Sequence, residues 1–253
     1  MKTVLITGGS RGIGKSIAEK FAKKNYNVVI VSKSIENLEK TKKEFLEKSL
    51  NLDVYSCDVT DIKQVKEVVS NVYNKFSSID ILVNSAGVSF INLLEDDDYS
   101  KWHKQIDTNL TGTFYFSKEV FKKMKNNSSG RIINISSVYG LIGGIGYSAY
   151  CASKHGVIGL TKALALEMAP YKITVNAICP AWVETDMFEN DMNEMSEIYK
   201  IEKDILISDE KMAIPLQSFI SVEEISDLVI YLSSDSAKNI TGQALNISGG
   251  LAI

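Results

Sequence analysis

Tyr150 and Lys154 stand four residues apart in Tyr150-Cys151-Ala152-Ser153-Lys154, at the opening of a helical stretch. On a helix, positions i and i+4 share a face. A free phenol titrates near ~10, too high for efficient acid or base work at neutral pH. A nearby ammonium favours the phenolate and draws that value down. The pair is therefore a candidate proton donor, with a lysine also placed to hold a ribose hydroxyl. Ser137 lies thirteen residues upstream of Tyr150, at the carboxyl end of Ile132-Ile133-Asn134-Ile135-Ser136. Ligands of open α/β sheets bind beyond the carboxyl ends of the strands.

A second constellation opens the chain: Thr7-Gly8-Gly9-Ser10-Arg11-Gly12-Ile13-Gly14, with an apolar run before it and a helical pattern after it. Glycines there let the backbone turn tightly and approach a pyrophosphate, while the helix N-terminus supplies free N–H groups and a positive dipole. The spacing is G-x-x-x-G-x-G, not the more familiar G-x-G-x-x-G of dinucleotide turns. NAD sites usually carry an acidic residue ~20 positions further on, bound to the adenosine ribose. Here the second strand ends Val31-Ser32-Lys33-Ser34, with no carboxylate at its tip. Lys33 and Arg11 suit a 2′-phosphate and Ser32 can hydrogen-bond it, so NADP(H) is expected over NAD(H). The plainer reading of Lys33 is a solvated surface lysine.

These residues need a scaffold, and the sequence supplies one by alternating strands and helices. Val4 to Thr7, Val28 to Val31, Asp53 to Ser56, Ile79 to Asn84, Arg131 to Ser136, Thr174 to Ile178 and Ala244 to Ile247 read as strands. Helical spacing fills the gaps: Ile13 to Lys24, Ile35 to Lys48, Asp61 to Phe76, a long helix from about Tyr99 to Lys125, Tyr150 to Met168, and Val222 to Ser233. Such alternation implies right-handed βαβ units, a parallel sheet and helices on both faces. No linker or repeat interrupts it, so residues 1–253 read as one doubly wound α/β domain. Residues 186–220 break the rhythm and are expected to form a lid or binding loop.

Composition narrows the class. Hydrophobic residues are 45% and charged residues 23%, which excludes a disordered or fibrous chain. The net charge of −3 argues against a nucleic-acid partner. No apolar run reaches the ~18 residues of a membrane span, and the start, MKTVLITGG, has no signal-peptide core. Cys57, Cys151 and Cys179 are widely spaced and form no metal or disulfide pattern, so a cytoplasmic setting and no metal are expected.

Taken in order, the motifs resemble those of the classical short-chain dehydrogenase/reductase family over essentially the whole chain. They are TGGSRGIG at 7–14, Asp58-Val59, Asn84-Ser85-Ala86-Gly87, Asn109 in Asn109-Leu110-Thr111-Gly112, Ser137, Tyr150 and Lys154, and Pro180 to Met187. The resemblance implies a Rossmann-type dinucleotide-binding fold. It implies that Tyr150 donates a proton to a substrate carbonyl, that Ser137 hydrogen-bonds that oxygen, and that Lys154 binds the nicotinamide ribose and lowers the tyrosine pKa. Asn109 would hold a water of the proton relay. Gly8, Ser10, Arg11, Gly12, Ile13 and Gly14 would cradle the cofactor, with Asp58 and Val59 at its adenine. Asn84, Ala86 and Gly87 would line its ribose region, and Pro180, Val183 and Thr185 its nicotinamide side. Family members are usually tetramers, and the apolar ending Leu251-Ala252-Ile253 is compatible with a subunit contact.

Two positions depart from the family pattern. Ser85 stands where asparagine usually repeats, which puts local bracing of the sheet in doubt, and Ala181 replaces a glycine beside the nicotinamide. The run Ser153 to Leu164, the segment Ile173 to Pro180 and the stretch Gln243 to Leu251 are similar to aromatic polyketide ketoreductases and to β-ketoacyl carrier-protein reductases. They are less similar to 3-hydroxybutyrate dehydrogenases. A Pro-Gly-Gly segment frequent in the polyketide enzymes is missing after Gly87. The expected activity is NADPH-dependent reduction of the ketone of a 3-oxoacyl or polyketide thioester, for which an acyl carrier protein is a candidate partner. The alternatives are an alcohol dehydrogenase acting on a small hydroxy acid or a sugar, and a non-catalytic dinucleotide sensor, which would not need the proton relay.

Several features have simpler readings. Asp96-Asp97-Asp98 suits a helix N-terminus. His103 and His155 read as structural. Met187, Met192, Met195 and Met212, with Phe188, either face a bulky apolar substrate or pack the lid. Lys118, Lys122, Lys123 and Lys125 form a solvated helix end or a dock for an acidic carrier.

Overall fold

The β-branched run Val28 to Val31 offers no polar face, so a strand built from it must be covered on both sides. In the computed structural model, which describes residues 1–95 and 98–252, it forms the centre of β2 (Asn27–Ser32). Its neighbours are β1 (Thr3–Thr7), β3 (Asp53–Ser56), β4 (Ile81–Asn84), β5 (Gly130–Ile135), β6 (Ile173–Pro180) and β7 (Ala244–Ile247). All pair in parallel, in the order β3-β2-β1-β4-β5-β6-β7. Successive side chains of β1 alternate between two cores: Val4 and Ile6 enter one, Leu5 the other. The first is covered by α1 (Gly12–Lys23), α2 (Ile35–Glu47) and α9 (Val222–Leu232) through Ile17, Phe21, Leu38, Phe45, Ile225 and Val229. The second is covered by α3 (Ile62–Phe76), α5 (Gly112–Met124) and α6 (Ser148–Met168) through Val65, Val69, Val72, Phe116, Val120 and Leu164.

The strand order reverses between β1 and β4, because β1 leads through α1 to β2 on one side and the chain returns to β4 on the other. Loops on the two sides diverge there, which opens a crevice at the carboxyl ends. Register aligns those ends: Thr7 sits opposite Asn84, and Asn84 opposite Asn134.

The structure differs from the sequence reading in two useful places. The single long helix expected from Tyr99 is interrupted: α4 (Tyr99–Ile106) passes through a π-helical turn at Asp107–Thr111 before α5. The Asn109 amide is drawn toward the backbone of Val88, and Gly112 lies where a Cβ would come within 2.7 Å of Val59 Cγ2. Residues 186–220, expected as a lid or binding loop, contain two helices, α7 (Asp186–Tyr199) and α8 (Lys203–Ala213). Asp98 caps α4 by accepting from the N–H groups of Ser100 and Lys101, at 3.0 and 3.4 Å. Asp96, Asp97 and Ile253 lie outside the described residues. Among the described residues no helix is long and apolar enough to cross a membrane.

Candidate active site

The glycine turn follows from β1 ending at Thr7. Gly8 has φ +67°, and a Cβ on it would stand 2.8 Å from the backbone of Ala86. Only a residue without a side chain fits there. A Cβ on Gly14 would come within 2.4 Å of the Gly8 carbonyl oxygen. Thr7 Oγ1 accepts the N–H groups of Ser85 and Ala86, at 3.2 and 3.1 Å, and so fixes the loop after β4 beside the turn. No side chain caps α1, and no acidic residue occupies its first turn. Its N-terminal N–H groups and dipole therefore favour an anion.

A cleft of about 400 Å³ runs over this turn, lined by Gly8, Ser10, Arg11, Gly12, Ile13 and Gly14, by Ser32, Lys33, Asp58 and Val59, and by Ala86 and Gly87. At its far end Lys33 Nζ meets Asp58 Oδ2 at 2.7 Å, although the lysine side chain is 80% exposed. Partial burial works against the Asp58 carboxylate, but hydrogen bonds from Lys33 and Thr60 hold it below its ordinary range. Ser10 Oγ donates to Ser32 Oγ at 3.1 Å, and Arg11 reaches Asp186 at 3.5 Å across the exposed rim.

Asn84 departs from the expected lining. Its Nδ2 donates to Ser117 Oγ at 3.0 Å and to Asn134 Oδ1 at 2.8 Å, and Asn134 Nδ2 donates to Thr161 at 2.9 Å. The side chain points into the sheet and under the helices, away from the cleft. It supplies the bracing that Ser85 placed in doubt. Ala181 is equally well housed: it has no left-handed backbone, and its N–H donates to the Ile247 carbonyl at 3.1 Å.

Beyond Gly87 the cleft narrows into a cavity of about 100 Å³, lined by Ser137, Tyr150 and Lys154 with Pro180, Val183 and Thr185. Each arrives from a different element. Ser137 follows β5 and caps a short turn, accepting the Tyr139 N–H at 3.2 Å. Tyr150 and Lys154 share a buried face of α6, and Pro180 ends β6. Thr185 caps α7. Asn109, from the π-helical turn, accepts the Val88 N–H at 2.8 Å and donates to the Val88 carbonyl at 2.9 Å and to Ser153 Oγ at 3.1 Å. A Cβ on Gly87 would sit 3.4 Å from Asn109 Oδ1 and 3.5 Å from Lys154 Nζ, so these two flank the same glycine.

The expected lowering of the phenol by Lys154 is absent from this arrangement. Burial holds Tyr150 above its ordinary value, Asp191 adds to this, and a hydrogen bond with Ser137 opposes it. Lys154 Nζ lies 5.4 Å from the Tyr150 ring centre but donates to the Ile135 carbonyl at 2.9 Å. Burial brings the ammonium down to about 8. Desolvation is the largest influence on both groups.

Sequence reasoning missed Thr7, Trp182 and Asp191. The signal for Asp191 was available: α7 buries Phe188, Asp191, Met192 and Met195, so a carboxylic acid sits in an apolar stripe. The lid methionines divide. Met192 and Met195 are buried, Met187 lines the cavity, and Met212 is exposed. The basic stretch is occupied on its own surface, with Lys122 bound to Glu119 at 2.7 Å, Lys118 over Phe114 and Lys123 over Tyr73.

A parallel doubly wound sheet with a glycine-lined cleft and this cavity at its switch point defines a nucleotide-binding oxidoreductase. The family model for short chain dehydrogenases matches residues 2–196, and the chain belongs to that family. It is 39% identical to the 3-oxoacyl-[acyl-carrier-protein] reductase FabG of Staphylococcus aureus over 251 residues, 99% of this chain and 98% of the relative. A crystal structure of actinorhodin polyketide ketoreductase with NADPH superposes with a TM-score of 0.96 at 36% identity, covering 99% of this chain and 97% of the other. A crystal structure of NAD⁺-bound xylitol dehydrogenase superposes with a TM-score of 0.94 at 30% identity, covering 98% of both chains. The chain is thus a short-chain oxidoreductase acting on CH–OH groups and their carbonyl counterparts.

Proposed function

We infer that the chain is an NADPH-dependent ketoreductase acting on the ketone of a 3-oxoacyl or polyketide thioester. The observation that carries this reading is the convergence of Ser137, Tyr150 and Lys154 on one small cavity continuous with the glycine-lined cleft. Reduced nicotinamide, when bound, supplies the hydride. Tyr150, kept protonated at neutral pH by its burial, passes its proton to the carbonyl oxygen, and Ser137 Oγ donates a hydrogen bond to the same oxygen. The phenolate left behind is sheltered from water and needs a cation; Lys154, with its value near 8, is largely charged at pH 7. Asn109 fixes the Val88 backbone beside Lys154 and orders the water that returns a proton to Tyr150.

The FabG and actinorhodin relatives support a ketoreductase by their names, and the second of these was crystallised with NADPH. Lys33 and Arg11 at the adenosine end support the 2′-phosphate. In this reading the acyl group can arrive on a carrier protein, residues 186–220 close over it, and the enzyme works as a cytoplasmic homotetramer. The test is loss of NADPH absorbance with a β-ketoacyl thioester. Tyr150→Phe is expected to lower kcat/KM about 10²- to 10⁴-fold, with NADPH affinity unchanged. Normal turnover by that variant refutes the assigned role.

One observation favours a second reading. Lys33 already pairs with Asp58, so a 2′-phosphate must compete with a carboxylate. An NAD-dependent alcohol dehydrogenase, as in the xylitol relative, has no such competition. Activity confined to NAD⁺ with an alcohol selects it.

A further inference from the structure

Asp191 takes no part in the chemistry above, yet it stands inside the cavity with Ser137 and Tyr150. It is 4% exposed. A buried carboxyl is normally paired or well hydrogen-bonded. No ion pair reaches Asp191 among the described residues. Glu194, the nearest carboxylate on its own helix, repels it and is itself bound to the Ile91 N–H at 2.8 Å. From the other elements it faces the phenols of Tyr139, Tyr147 and Tyr150, and Glu210, which accepts from Trp182 Nε1, acts on Tyr139 and Tyr147. Among the described residues, the hydroxyl of Ser89 is the group that supports it by a hydrogen bond. That oxygen is buried, and the contact lies outside ordinary hydrogen-bond geometry.

Trp182 and Phe188, packed edge-to-face with ring centres 5.7 Å apart, form an apolar wall together with Val183 and Met187, while Ser137, Thr185 and Lys154 are among the cavity's other polar groups. A plain alkyl chain would lie against this carboxyl and offer it no hydrogen bond beyond that of Ser89, at a cost in binding. A carboxylate on the substrate would be repelled. A hydroxyl both donates and accepts, so it satisfies Asp191 whether the acid is charged or neutral.

Resting on the ketoreductase reading of this cavity, we propose that Asp191 is a specificity-determining group that hydrogen-bonds a hydroxyl carried by the substrate beyond its ketone. The preferred substrates are hydroxylated ketones rather than unsubstituted acyl or cyclic ones.

The test compares cyclohexanone with 3- and 4-hydroxycyclohexanone, using wild type, Asp191→Leu and Asp191→Asn. Two readouts run in parallel: NADPH-linked turnover, and quenching of Trp182 fluorescence by each ketone, measured in a Trp102→Phe background. Leucine continues the apolar stripe of α7, and asparagine keeps the shape if leucine fails to fold. Wild type is expected to favour at least one hydroxylated ketone about tenfold or more in kcat/KM and in binding. Asp191→Leu should erase that preference while handling cyclohexanone at least as well. Equal selectivity in wild type and both variants overturns the role of Asp191 and leaves the ketoreductase reading intact. Hydroxyl-selective quenching that depends on Asp191, without turnover of any ketone, upholds the role of Asp191 and counts against the ketoreductase reading.

Discussion

Replacing Asp191 with asparagine should stabilise the fold, and by an amount that grows with pH. Burial raises the Asp191 carboxyl from its ordinary 3.8 to about 7. The folded chain therefore holds a proton that the unfolded chain has already lost between those values. The sign follows: the native state binds more protons, so stability falls as pH rises from about 4 to about 7 and then levels off. The full difference is about 4 kcal/mol at pH 8, shrinking to under about 1 kcal/mol at pH 4. Asparagine has almost the same shape and cannot ionise. Its amide can keep the contact with Ser89 by donating to that hydroxyl oxygen. Urea unfolding of wild type and Asp191→Asn, followed by far-UV circular dichroism at pH 4, 6 and 8, measures the difference directly. The variant should match wild type within about 1 kcal/mol at pH 4 and exceed it by several kcal/mol at pH 8. For a chain of this length that corresponds to roughly 10 °C in midpoint temperature. A constant offset across the three pH values would show that the carboxyl is not desolvated, and with it would fall the claim that burial outweighs the support Asp191 receives from Ser89.

Two further outcomes follow from the cleft. Lys33→Ala should lower the NADPH-to-NADH ratio of kcat/KM about tenfold, the scale of one exposed charge-assisted hydrogen bond; an unchanged ratio across a cofactor titration removes Lys33 from phosphate recognition. Asn84→Ala should cost about 1–3 kcal/mol of stability, because it strands the polar groups of Asn134 and Ser117, while NADPH affinity measured by fluorescence titration stays within about twofold.

The sheet was legible because buried parallel strands announce themselves as β-branched runs, as at Val28 to Val31, and because glycines punctuate the turn after β1. Spacing placed Tyr150 and Lys154 on one helix face and Ser137 at a strand end, while the roles expected of them came from the family resemblance. Asn84 was misplaced for a reason that strand parity could have exposed. Leu82 and Asn84 share a face, and Leu82 packs beneath α5 in the second core, so Asn84 had to point there too. The break at Asn109 was not legible. Helical periodicity continues through Gln105, Asn109 and Gly112, and the π-helical turn is imposed by the Val88 backbone, which comes from another part of the chain. The value of Tyr150 was misjudged because sequence shows the neighbouring ammonium but not the depth of the cavity.

That depth also explains how three ionisable groups tolerate one small space. Tyr150, Lys154 and Asp191 all lie under 10% exposed, and burial disfavours the charged form of each. The result suits the proposed reduction near neutral pH, in which Tyr150 is the proton donor. The phenol remains protonated and can give its proton. The lysine, near 8, keeps most of its charge to meet the phenolate. Asp191, raised by burial to about 7, is partly neutral at pH 7, so in the proposed reduction the cavity carries less fixed negative charge against the carbonyl oxygen. A carboxylate ionised at its ordinary value in the same place would oppose both the phenolate and that oxygen. Asp191 can therefore remain beside the reacting centre as a hydrogen-bonding group because the apolar wall of Trp182 and Phe188 keeps it only weakly acidic.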